Sequence, residues 1–177
     1  MGTINKLAYS YMVKSEVADY TYVDPESKDG FWGNRGAGVL FLAKDSQRVL
    51  LLLRSKHVNE PHTWGIAGGA VDDDETPLKA AKREVREEIS YKGKMQIFPS
   101  YIFQKGGFKY YNYIGVVNSE FRPILTREAP DYWETDKYQW FDLNDLPSPL
   151  HPGCKVLFRE AMEQIQEIIN SFENPSE

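Results

Sequence analysis

The sequence predicts an α/β or α+β fold, a mixed sheet sandwiched between helices, and three observations carry that expectation. Two continuous apolar runs, Gly38-Val39-Leu40-Phe41-Leu42-Ala43 and Arg48-Val49-Leu50-Leu51-Leu52-Leu53, read as strands buried on both faces. A helix signal opens at Thr76 and Pro77, and a second helical period begins at about Lys155. Hydrophobic residues at 41% and charged residues at 27% supply one sizeable core and exclude a wholly disordered chain.

Taken in order, residues 1–35 are an N-terminal extension with scattered aromatics (Tyr9, Tyr11, Tyr20, Tyr22, Phe31, Trp32). It suits a peripheral strand or two, and Asp24-Pro25-Glu26-Ser27-Lys28-Asp29-Gly30 is a turn by composition. Residues 36–173 form the main domain, and 174–177 a frayed tail. Asp45 and Ser46 join the two apolar runs as a hairpin. The loop from Ser55 to Thr63, with His57, Asn59, Pro61 and His62, leads into Trp64-Gly65-Ile66-Ala67-Gly68-Gly69. Thr76 caps the first helix and Pro77 takes its first position, where a missing N–H costs nothing. The acidic run Asp72-Asp73-Asp74-Glu75 lies beside the positive end of the helix dipole, and the helix extends to about Ser90. Strand-like stretches follow near Met95–Gln104, Lys109–Val117 and Tyr138–Asp142. The C-terminal helix sets Leu157, Ala161, Ile165, Ile168, Ile169 and Phe172 along one face, which would cover the sheet.

Several classes are disfavoured. The N-terminus lacks the apolar core of a secretory signal, and Lys6 stands where an N-myristoylation motif wants Ser or Thr. No apolar run approaches the ~20 residues of a membrane helix. Cys154 is the only cysteine, so no internal disulfide forms, which fits a reducing cytoplasm. The net charge of −5 argues against broad nucleic-acid binding, which needs basic surface. A phosphate-bearing ligand therefore requires a local basic pocket or a metal ion.

The first helix carries the chemistry. With Leu78 at zero and about 100° per residue, Ala81, Val85 and Ile89 fall within roughly 60° of it as the expected buried stripe. Glu84, Glu87 and Glu88 fall at roughly 240°, 180° and 280°, sharing a neighbouring arc. Glu84 and Glu88 repel at i,i+4, and a dication among the oxygens relieves the cluster. Hard carboxylate oxygens suit Mg2+ or Mn2+, and no Cys/His cluster offers a competing zinc site. Arg83 reaches Glu87 one turn on and would orient it. The plain alternative is a solvated, charge-rich helix face. The glycine pair before the helix, Gly68-Gly69, favours the ligand reading, because glycine lets backbone approach phosphate oxygens.

Gly69, five residues, Glu75, seven residues, then Arg83-Glu84-Val85-Arg86-Glu87-Glu88 resembles the signature of the Nudix hydrolases. The approach through Trp64-Gly65-Ile66-Ala67-Gly68-Gly69 is similar too, with Ala67 where the family often has proline. Ser90 replaces the family's glycine after the glutamate pair, and Tyr91 takes the hydrophobic position. That glycine helps end the helix, so the departure bears on loop geometry. Every carboxylate position is intact. The stretch from Glu134 to Leu146, with Trp140-Phe141 and Asp145-Leu146-Pro147, resembles the fold's late strand and turn.

The resemblance implies an α/β/α sandwich and metal-dependent hydrolysis of a diphosphate linkage in a nucleoside diphosphate joined to another moiety. It places the metal, Mg2+ or Mn2+, on Glu84, Glu87 and Glu88 with Gly69. Glu87, Glu88 or Glu134 would take the proton from the attacking water; Glu134 is alternatively an exposed loop acid. Arg54, directly after a strand, is a phosphate contact or a rim residue. Trp64 is a base-stacking platform or a packed core residue. Gly68 brings backbone to the substrate. Tyr110, Tyr111 and Tyr113 alternate along a strand, and Tyr111 is the expected pocket residue. Dinucleotides, nucleotide sugars and ADP-ribose are the expected substrates. Nucleoside triphosphates and capped RNA ends stay open, and the N-terminal segment could pair subunits in a homodimer. Two rivals stand beside this reading: a non-catalytic nucleotide sensor of the same fold, which would be expected to have lost one of the three glutamates, and a prenyl diphosphate isomerase, for which no upstream catalytic cysteine is found.

Overall fold

The computed structural model describes residues 35–125 and 134–173. The expected N-terminal strands, the 24–30 turn, the 174–177 tail and any pairing through the N-terminal segment lie outside the described residues. The elements are β1 Arg35–Ala43, β2 Val49–Arg54, β3 Trp64–Gly65, β4 Ala67–Ala70, α1 Pro77–Ile89, β5 Gln96–Lys105, β6 Phe108–Val117, β7 Thr135–Phe141 and α2 Pro152–Glu173.

The strands form one mixed sheet. β1 runs parallel to β6 from Arg35↔Lys109 to Ala43↔Val117, and β5 continues that side antiparallel. The other edge of β1 is divided. β2 meets it only at Leu42↔Val49, the hairpin end, while β4 takes Gly36 to Val39. Beyond the hairpin β2 diverges, flanked by β7 along its length and by β3 at Leu52 and Leu53. The segment 64–70 therefore dips into the wedge along β2, turns at Ile66 and leaves along β1. Glycine is required at this depth. A Cβ on Gly68 would stand 2.5 Å from the Ala37 carbonyl oxygen and 2.6 Å from the Gly38 Cα.

Both sheet faces are covered, which explains the unbroken apolar runs. On one face Leu40, Leu42, Leu51 and Ile114 pack against Leu157, Phe158, Ala161 and Ile165 of α2. On the other, Val39, Phe41, Leu50 and Leu52 pack against Ala80, Ala81, Val85 and Ile89 of α1. This agrees with the expected sandwich. Among the described residues no helix is long and apolar enough to cross a membrane.

Several local expectations change. Thr76 caps α1, accepting from the Lys79 amide at 3.3 Å, and Pro77 opens the helix. Leu78, however, is exposed rather than part of the buried stripe. It points away from the sheet in the first turn, and the buried face shifts to include Ala80, Glu84 and Glu88. Ser90 ends the helix in the left-handed conformation, φ 54°, with its amide bonded to the Arg86 carbonyl at 3.0 Å. The serine thus adopts the geometry glycine favours, at a cost of about 1 kcal/mol. α2 begins at Pro152, earlier than Lys155.

Candidate active site

The carboxylates of α1 divide into two environments. Arg83 gathers the first. Its Nη1 lies 2.7 Å from Glu84 Oε1 and 2.9 Å from Glu87 Oε2, and its Nη2 lies 2.7 Å from Glu75 Oε1 and 2.9 Å from the Ala70 carbonyl. The guanidinium thus clamps three glutamates to the end of β4, and it holds the Glu75 carboxyl below its ordinary range. In return, Glu75 foremost, with Glu87 and Glu84, strengthens the positive charge of Arg83.

Glu88 faces the wedge instead. Its Oε2 accepts the Gly68 amide at 3.0 Å. Burial, with Glu84 and Glu134 as neighbouring carboxylates, pushes its pKa well above the carboxylate range; the Gly68 bond and the Arg54 charge oppose that rise. Glu134, read from sequence as a base or a loop acid, is therefore brought to Glu88, and its backbone carbonyl accepts the Ser55 amide at 2.8 Å. Arg54 closes the end of β2, its Nε donating to the Asn59 carbonyl at 2.8 Å.

Gly69 serves the other carboxylate: a Cβ there would stand 2.7 Å from Glu84 Oε1, so only glycine leaves the backbone against that group. A donor set of buried, mutually repelling carboxylate oxygens beside open backbone suits a hard divalent cation. Among the described residues no three acidic, histidine or cysteine side chains are already gathered as a metal cage. Arg83 holds Glu84 and Glu87 to one side while Glu88 turns to Gly68.

Two expected ligand contacts lie in packed surroundings. Trp64 is buried, with Phe141 edge-on at 4.9 Å and Lys137 Nζ 5.3 Å from its ring, the packing alternative of the sequence reading. Tyr111 lies across β1 from Gly69 and packs with the core beneath α1. Strand alternation hands the wedge to Tyr110, whose ring lies over Gly36, Gly38 and Gly68. Sequence reasoning also passed over His151. Its Nδ1 accepts the Gly153 amide at 3.0 Å, its own amide donates to the Trp64 carbonyl at 2.8 Å, and it caps α2 against β3. The signal was a polar residue directly before Pro152 at a helix start.

The sequence model of the NUDIX domain family matches residues 33–161. A rat protein named diphosphoinositol polyphosphate phosphohydrolase 2 is 31% identical over 145 residues, covering 78% of this chain and 73% of the relative. Among solved structures, a Nudix hydrolase from M. smegmatis, RenU, superposes with a TM-score of 0.59 at 24% identity, over 80% of this chain and 89% of that one. The NUDIX domain of Shewanella oneidensis NrtR, complexed with ADP ribose, also gives 0.59 at 18% identity, over 84% and 99%.

Proposed function

The chain belongs to the NUDIX family, and from that premise we propose that it hydrolyses a diphosphate linkage in a nucleoside diphosphate joined to another moiety. One observation supports the reading: Glu88 is buried at the wedge, gripped by the Gly68 amide, with Glu84 and Glu134 as neighbouring carboxylates and Arg54 as the opposing cation. Glu84, Glu87 and Glu88, with the Gly69 backbone, would hold Mg2+ or Mn2+, which would supply charge neutralisation and a more acidic water.

The residues do the rest. Arg54 binds a phosphate oxygen through its terminal nitrogens. Gly68 and Gly69 admit the diphosphate close to the backbone. Arg83 holds Glu84 and Glu87 at fixed positions on the helix. Glu88, or Glu87 or Glu134 beside it, accepts the proton of water as the oxygen attacks phosphorus. The bridging P–O bond then breaks, and two phosphate monoesters leave. The sensor alternative keeps the binding steps and loses only the chemistry.

The test is a panel of ADP-ribose, NADH, dinucleoside polyphosphates, nucleotide sugars and nucleoside triphosphates with Mg2+ or Mn2+, products separated by chromatography. Metal-dependent cleavage of one class, abolished in Glu87→Gln or Glu88→Gln, supports the hydrolase. Ligand binding without cleavage of any member moves the reading to the sensor.

A further inference from the structure

β2 is irregular on both of its edges at one residue, Arg54. Toward β7 the pairing slips between Leu53 and Arg54, so that Arg54 meets Thr135. Toward β3, Leu52↔Gly65 and Leu53↔Trp64 are in step, and then two residues oppose one. The Arg54 amide donates to the Thr63 carbonyl at 2.9 Å, while the His62 amide donates to the Arg54 carbonyl at 3.0 Å. This is a β-bulge of the kind whose first residue is left-handed and usually glycine. Here that residue is His62, at φ 57°. Two positions earlier Glu60 is left-handed as well, at φ 52°. A Cβ disfavours both conformations, and non-glycine residues held this way collect at active sites and ligand clamps.

The hydrogen bonds of the loop 55–63 converge on the same residue. Buried Thr63 donates its hydroxyl to the Glu60 carbonyl at 2.7 Å, closing the turn that contains both left-handed residues. The carbonyl one residue earlier, that of Asn59, accepts Arg54 Nε at 2.8 Å. At the other end, the hydroxyl of buried Ser55 accepts the His57 amide at 3.2 Å, and the Ser55 amide donates to the Glu134 carbonyl at 2.8 Å. The loop thus returns on Arg54 and grips its guanidinium by the Nε–H, which directs the terminal nitrogens to a ligand. A guanidinium already held loses less freedom when it meets a phosphate. Its place suits that use: a Cβ on Gly65 would lie 3.9 Å from Arg54 Cδ, and its charge acts on Glu88.

We propose that Thr63 is a positioning residue for Arg54: its hydroxyl fixes the Glu60 turn, the turn directs the Asn59 carbonyl to Nε, and the guanidinium meets the diphosphate with its terminal nitrogens forward. This rests on the hydrolase reading, in which Arg54 contacts a phosphate, and adds how that contact is set. In this role Thr63 need touch neither substrate nor metal, since it acts through Arg54. His62 contributes its backbone geometry rather than its imidazole. A hydroxyl that merely held the loop together would lower stability in any background and leave the setting of Arg54 untouched.

The experiment uses the full chain with Mg2+ and compares wild type with Thr63→Val, which keeps the shape and removes the donor, and Thr63→Ser, which restores it. Arg54→Ala is made alone and combined with Thr63→Val. The Arg54 Nε–H is followed by nitrogen–proton NMR and assigned by its loss in Arg54→Ala. It is expected to exchange slowly in wild type and Thr63→Ser, and about tenfold faster in Thr63→Val. For the panel substrate cleaved fastest, Thr63→Val raises KM about three- to tenfold while kcat stays within about twofold. The Kd of α,β-methylene-ADP, titrated by calorimetry, rises in parallel, and Thr63→Ser returns both to within about twofold of wild type. In the Arg54→Ala background Thr63→Val changes neither by more than about twofold, because the residue it acts through is gone. An Nε–H that exchanges in wild type as fast as those of exposed arginines overturns the proposal without any variant. So do an unchanged Nε–H in folded Thr63→Val, an equal rise in KM in both backgrounds, and wild-type KM beside a lost Nε–H signal. If no panel member is cleaved, the hydrolase reading falls, while the Nε–H signal still decides whether Thr63 sets Arg54.

Discussion

Glu84 and Glu88 stand one turn apart on the same helix, and both are buried, yet the protein treats them oppositely. Glu84 is paired to Arg83 at 2.7 Å within a brace that also holds Glu75 and Glu87. Glu88, among the described residues, has the Gly68 amide at hydrogen-bond distance and Arg54 as a cationic neighbour, with two carboxylates beside it. Four positions of sequence separation thus divide a carboxylate that supports the fold from one that strains it. Strain of this kind persists where function requires it.

The strongest way to sharpen the contrast is to neutralise each carboxylate. Glu88→Gln is expected to lower kcat by about 10²–10⁴-fold, the usual scale for removing an acid–base group. It also relieves desolvation and repulsion, so its melting temperature is expected to rise. Glu84→Gln removes an ion pair and costs about 1 kcal/mol of stability after allowing for Arg83's partial exposure, lowering the melting temperature. Calorimetric scans of both variants check the sign difference, and equal signs would break the comparison.

Next in size is the glycine floor beneath the Tyr110 ring. Gly68→Ala drives a methyl into the Tyr110 hydroxyl, the Ala37 carbonyl and the Gly38 Cα, and should cost about 2–4 kcal/mol while pulling the amide from Glu88. Gly65→Ala meets its nearest atom at 3.7 Å and should change stability by less than about 1 kcal/mol. Urea midpoints of the two variants give the test.

The acidic helix was legible in the sequence because helical geometry turns spacing into position: Thr76, Pro77 and the Arg83–Glu87 pair all fall where the 3.6-residue period puts them. The wheel gave Leu78 an angle but no information on what covers the first turn. A strand's two-residue period named Tyr110 and Tyr111 as opposite faces without saying which face meets the glycines. β3 and β4 are two and four residues long, too short and too glycine-rich for any period to register. Trp64 and His151 depend on contacts between distant segments, the His151 amide on the Trp64 carbonyl among them, and no local pattern encodes those.

A smaller effect belongs to His151. Burial, with Arg54 adding, holds its pKa down to about 3 against an ordinary 6.5. The unfolded chain binds this proton more readily, so the contribution is complete above pH 6.5 and is lost as pH falls from there toward 3. His151→Asn, which retains a capping acceptor, should flatten the wild-type loss of stability across that window in pH-dependent melts. Smallest of all, Leu78→Gln should lie within about 0.5 kcal/mol of wild type, because its side chain is exposed.

The segment 64–70 that fills the wedge also guards the chain against its own kind. β1 and β2 touch only at Leu42↔Val49, and their inner edges are completed by β4 and β3. During synthesis both strands emerge before the segment that seals their inner edges, and their outer edges stay open until β6 and β7 are made. A fragment ending before Trp64 keeps those edges permanently exposed and is expected to aggregate through strand pairing, and the glycine segment removes the inner pair of edges from that hazard as it is made.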